Sequence, residues 1–197
     1  MLKEISLDYS KMNVEHFRSS QYHQSTWSGG KTTELFLFPP EANYQRRVFD
    51  YRISSATIEE QYSMFTVLPG YNRLLMPLEG SVTLTNSEQT VRLETFDVGE
   101  FDGELSTTSV GKCVDFNLIY KKSMQGEMKR VQTHNSLYSV EKDCYLYCVE
   151  QCTVKIKHAT YFLKQSDSLA LTGITERTAI ELLPKDDVVK LIYVSCN

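Results

Sequence analysis

Polar and apolar side chains alternate with period two over short runs of this chain, and clusters of turn-forming residues separate the runs. A strand sends successive side chains to opposite faces, so the pattern predicts many short strands and almost no helix. Residues 49–80, FDYRISSATIEEQYSMFTVLPGYNRLLMPLEG, organise the rest. Arg52, Ser54 and Ala56 fall on one strand face, with Phe49, Tyr51 and Ile53 on the other. A second strand opens at Arg73 and carries Leu75 on the same face. Residues 61–63 and 69–72 between them read as turns. Two strands that each present an arginine suit a lining that holds an anion, or two surface arginines on edge strands. This stretch alone leaves both open.

Residues 13–17 fit a strand or a short helical turn, and residues 34–38 a strand stopped by Pro39 and Pro40. Strands follow at 48–58, 73–78, 81–85, 90–93 and 112–120. In the last of these, KCVDFNLIY, Asp115 and Asn117 share a face opposite Val114, Phe116 and Leu118. That polar pair lies either on the surface or in a cavity. Residues 96–101 read as a turn-rich connector and 121–133 as a linker between two parts. Beyond it, strands are expected at 137–140, 144–149, 153–157, 160–163, 168–171, 178–183 and 188–194, with turns at 141–143, 173 and 184–187. The expected fold is all-β, a barrel or sandwich in two parts, residues 1–125 and a smaller 126–197.

Composition narrows the function. With 197 residues, 41% hydrophobic and 23% charged, the chain can bury a real core. A net charge of −4 gives no draw toward nucleic acid or an anionic membrane. No apolar run is long enough for a membrane helix, and the N-terminus lacks a signal-type apolar core, so a cytoplasmic location is expected. Five cysteines, at 113, 144, 148, 152 and 196, read as free thiols. Cys144, Leu146 and Cys148 share one strand face, where cysteine behaves as a small hydrophobe. The four histidines, at 16, 23, 134 and 158, form no H-x-H pair, and no zinc-type spacing occurs. Neither metal nor cofactor is expected. Asp115 and Glu104 are the candidate acid or base groups.

Several short patterns, taken in order, resemble the HutD/Ves family of bicupins, associated in many bacteria with histidine utilisation. Residues 27–35, WSGGKTTEL, are similar to the family's W-x-N-G-G-G-x-T-x-E-[IL]. Residues 49–56, FDYRISSA, resemble F-x-W-R-x-S-x-A, and 62–65 with 70–80 resemble F-S-x-F followed by G-x-x-R-x-L-x-x-L-x-G. Residues 101–104 and 111–117 resemble F-x-G-D and G-x-x-x-D-x-N. Ser28, Lys31, Tyr51 and Glu104 depart from the pattern, and residues 121–197 carry no matching motif.

The resemblance implies two cupin-type barrels and a metal-independent, regulatory role in histidine or urocanate breakdown. The expected binding residues are Trp27, Gly29, Gly30, Thr32, Arg52, Ser54, Ser63, Phe65, Arg73, Asp115 and Asn117. In this arrangement Arg52 and Arg73 neutralise a small carboxylate, with Trp27, Phe65 and Phe116 as apolar wall; alternatively Asp115 pairs with one arginine. The expected partner is a small-molecule ligand, with urocanate and formiminoglutamate as candidates; a homodimer is left open. Two other classes stand beside this one. One is a metal-independent enzyme on a small organic acid, using Asp115 or Glu104. The other is a protein-interaction module working through Tyr138, Tyr145, Tyr147 and Tyr161.

Overall fold

The computed structural model describes residues 12–134, 136–185 and 188–197. Among them the fold is all-β, its helical element being the single 3-10 turn Ser19–Gln21. Residues 1–11, and Asp186 and Asp187 of the expected 184–187 turn, lie outside the described residues. Two units emerge. One holds residues 20–129 with Cys196, and the other holds 130–195, Asn197 and the described residues of the N-terminal stretch up to Ser19. The division falls inside the Gly126–Thr133 strand.

The first unit has two antiparallel sheets whose strand orders run from edge to edge. The larger follows the order His23–Trp27, Gly30–Phe38, Tyr51–Ile58, Cys113–Lys121, Tyr71–Gly80 and Gly99–Asp102. The smaller follows Tyr62–Met64, Thr108–Val110, Val82–Thr85 and Thr90–Leu93. Apolar residues from both sheets, including Ile58, Leu75, Leu84 and Phe101, form one buried cluster. Phe49, Leu68, Tyr71 and Ile119 form another.

The second unit is also two-sheeted. One sheet runs Asn13–Phe17, Ser168–Thr172, Cys144–Cys148, Val189–Cys196 and Gly126–Thr133, the other Ser136–Val140, Thr178–Pro184, Cys152–Ile156 and Ala159–Leu163. Its interior is filled by Val154, Leu169, Ile180, Leu191 and their neighbours, with Cys144, Cys148 and Cys152 among them as small apolar fillers.

Four expectations change, one being that the turn-rich connector expected at 96–101 includes most of the strand Gly99–Asp102, which pairs with Tyr71–Gly80. Asn13–Phe17 is a strand paired with Ser168–Thr172, so it belongs to the second unit rather than to the stretch that follows it. Residues 121–133 are not a linker, because Gly126–Thr133 is a strand that buries Met128 and Val131. These two apolar positions are three apart, which hides the period-two signal. Tyr62–Met64 is a strand, not a turn: it pairs with Thr108–Val110 and turns Ser63 inward while Tyr62 and Met64 stay exposed.

Candidate functional site

The strand register of the first unit assembles polar groups in rows on one face of the larger sheet. Leu37, Arg52, Ile119, Arg73 and Phe101 stand side by side on five successive strands. The next row holds Glu34, Ser54, Asn117 and Leu75, and the one after it Thr32, Ala56, Asp115 and Pro77. Alternation within each strand keeps these residues on a common side. A register shift between Glu34 and Phe36 lets Glu34 share that side with Leu37.

The face borders a cavity of about 250 Å³. Trp27, Thr32, Arg52, Ser54, Ser63, Phe65, Arg73, Asp115 and Asn117, all expected at the site, line it together with Tyr44, Thr66, Ile58 and Ile119. Gly29 and Gly30 do not line it. A side-chain carbon on Gly29 would sit 2.1 Å from the Trp27 ring, and one on Gly30 would sit 1.8 Å from the Thr57 carbonyl oxygen. Both glycines shape the turn that carries Trp27. Phe116 is fully buried and, alternating with Asp115 and Asn117, faces away from them.

The two arginines differ in their partners. Arg52 Nε donates to Glu34 Oε2 at 2.8 Å, its Nη1 donates to Ser54 Oγ at 3.3 Å, and its guanidinium lies 4.1 Å from the Tyr44 ring centroid. Arg73 has one hydrogen bond, from Nη2 to the Thr66 carbonyl at 2.8 Å. Its Nε is buried without a partner, and its guanidinium sits 5.4 Å from the Phe65 ring centroid and 5.8 Å from that of Phe101. Burial, with Arg52 adding repulsion, pulls the Arg73 pKa down to about 10.

Asp115 makes no ion pair. Its Oδ1 accepts from the Ala56 N–H at 3.0 Å and from Asn117 Nδ2 at 2.6 Å. Burial raises its carboxyl to about 7, against the opposing pull of these two hydrogen bonds and of the Arg73 charge. The alternative in which Asp115 clamps an arginine is replaced: Glu34 holds Arg52, and Asp115 is held by Ala56 and Asn117. Asn117 Oδ1 and Ser63 Oγ, both buried, also lack partners. The cavity therefore offers a donor set at Arg73, an acceptor at Asn117 and a hydroxyl at Ser63.

Glu34, Tyr44 and Thr66 were missed in the sequence. Glu34 carries a period-two signal with Thr32. Tyr44 and Thr66 come from segments without periodicity. Glu104 lies outside the lining, where it accepts from the Gly70 N–H at 3.0 Å and pairs with Lys122. Among the described residues no group of three or more His, Cys, Asp or Glu is arranged to hold a metal, and the cavity has one carboxylate and no histidine. The lining does not fit a metal.

The family follows from the comparisons. The HutD family model matches residues 19–189. The chain belongs to the HutD family. No curated protein matches it. Among solved structures, a conserved protein of unknown function from Pseudomonas aeruginosa PAO1 aligns with a TM-score of 0.83 at 18% identity, over 94% of this chain and 99% of that one. HutD from Pseudomonas fluorescens SBW25, described for a formate condition, aligns with a TM-score of 0.76 at 21% identity, over 94% and 98%. A cupin 2 conserved barrel domain protein from Leptotrichia buccalis aligns with a TM-score of 0.58 at 8% identity, over 93% and 96%. These likenesses establish a cupin-like fold. No described helix is long and apolar enough to cross a membrane.

Proposed function

We propose that this HutD-family protein is a bicupin whose first unit binds a small carboxylate without a metal, and that in the cytoplasm it regulates histidine or urocanate catabolism. The observation that carries the reading is Arg73. It is a buried guanidinium in a cavity, with Nε unbonded and no carboxylate within ion-pair distance. A buried cation of this kind is costly unless an anion meets it, and the planar guanidinium suits a carboxylate.

Asn117 Oδ1 and Ser63 Oγ extend the requirement. A ligand with a carboxylate on Arg73 and an N–H or O–H facing Asn117 satisfies groups the protein leaves unpaired. The 250 Å³ cavity is smaller than the roughly 300–1,000 Å³ typical of drug-sized ligands, which favours a metabolite-sized acid. Urocanate and formiminoglutamate meet both conditions.

A thermal-shift panel of histidine, urocanate, formiminoglutamate, glutamate and unrelated acids tests this. A ligand of the folded state stabilises by about 2.7 kcal/mol at about a hundred times its Kd. The expected result is a shift for an acid bearing a hydrogen-bond donor, lost when Arg73 is replaced. Silence across the panel overturns the reading. One observation favours a second reading, a metal-independent enzyme: the Asp115 pKa of about 7 suits a general acid or base. Conversion of any panel acid, followed by product analysis, tests that.

A further inference from the structure

Glu34 neutralises Arg52 of the cavity wall, which leaves Arg73 and Asp115 as the two buried charged residues of the lining without an ion pair. The titratable groups facing Asp115 from the elements around it are few. Arg52 comes from Tyr51–Ile58 and is paired with Glu34 of Gly30–Phe38, Arg73 comes from Tyr71–Gly80, Tyr44 from the loop before Tyr51, and Cys113 from its own strand. Of these, Arg73 supplies the charge that eases ionisation of Asp115.

A carboxylate seated on Arg73 uses that charge. The same cavity then holds two negative charges, the ligand's and that of Asp115, against one free cation. An uncompensated buried charge is costly, so the cavity neutralises itself by the easiest available step. That step is protonation of Asp115, whose Oδ2 makes no hydrogen bond and therefore loses none on gaining a proton.

We propose that the site takes up its carboxylate together with one proton, held on Asp115, so that the ligand enters as a net-neutral acid. The inference rests on the carboxylate-binding function proposed above and adds its regulation by pH. Burial already places Asp115 about 7, so the proton is available near neutrality and a nearby anion raises the affinity for it further. A zwitterionic amino acid follows a different rule: its ammonium supplies the missing positive charge, and it binds without the proton.

Isothermal titration with two monocarboxylates that carry a hydrogen-bond donor, 3-hydroxybutyrate and urocanate, as probes, at about pH 8 in two buffers of different ionisation enthalpy, counts the protons. The expected uptake approaches one proton per ligand, with affinity falling about tenfold for each pH unit above about 7. Asp115→Asn keeps an acceptor for the Ala56 N–H and mimics the neutral acid. It is expected to bind with no proton uptake, with a flat pH profile, and about tenfold more tightly than the parent at about pH 8. Binding without uptake by the parent protein, or loss of binding in a folded Asp115→Asn, overturns this inference and leaves carboxylate binding standing. Absence of binding by both probes down to about pH 6 overturns carboxylate binding, and this inference with it. The parent's proton count decides the matter even if Asp115→Asn fails to fold.

Discussion

Arg52 and Arg73 occupy one cross-strand row on either side of Ile119, and Glu34 neutralises only Arg52. The two positions should therefore respond differently to the same substitution. Arg73→Met removes a buried cation held by one carbonyl, and with it the cost of keeping that charge out of water. It should change Tm little and abolish the ligand-induced shift. Arg52→Met strands the half-buried Glu34 carboxylate and should cost on the order of 1–3 kcal/mol while weakening binding only in part. Paired melting curves and titrations check this, and the reverse pattern would assign the anion to Arg52.

Asp115 predicts a stability that depends on pH. Its folded-state carboxyl lies about 7, above the ordinary value of 3.8, so between those values the folded state binds more protons than the unfolded one. Its contribution to stability is therefore fully present below about pH 4 and fades as pH rises to about 7, by roughly 4 kcal/mol at most. Asp115→Asn should raise Tm at about pH 8 and change it much less at about pH 5. Melting curves for both proteins across that range provide the measurement. An equal difference at both ends would mean that Asp115 is ionised throughout.

Gly30 is a structural requirement of the site rather than part of its surface. Its φ of 148° lies in a region L-residues rarely adopt, and an added Cβ would overlap the Thr57 carbonyl. Gly30→Ala should destabilise by about 2–4 kcal/mol through backbone strain and displacement of the neighbouring strand. Denaturant midpoints measure it. A change within about 0.5 kcal/mol, the range of an ordinary surface substitution, would show that the turn relaxes freely.

Much of the site is legible in the sequence because period two is a strong local signal. Arg52 with Ser54, and Asp115 with Asn117, could be placed on common faces from spacing alone, and register later set these faces side by side. What spacing cannot give is the identity of the neighbours across strands. The pairing of Arg52 with Glu34 depends on antiparallel register and on the shift before Phe36. Tyr44 reaches Arg52 from an irregular loop. Gly29 and Gly30 look like ligand-contacting backbone in a motif, yet their bareness serves the Trp27 ring and the Thr57 carbonyl. The distinction needs three dimensions.

Trp27 offers a direct report on occupancy. It is the chain's one tryptophan, it lines the cavity, and it remains 38% exposed. Indole emission follows the polarity and water access of the ring, so a ligand that displaces water beside it should shift or quench the signal. The change should saturate with the same Kd as the thermal and calorimetric measurements, and it should vanish in Arg73→Met, where the ring is untouched but the anion anchor is gone. A saturable change that survives Arg73→Met would place the bound molecule elsewhere on the chain. A flat signal with a ligand whose binding calorimetry has established would mean that the molecule sits deep against Arg73 and leaves the Trp27 side of the cavity wet.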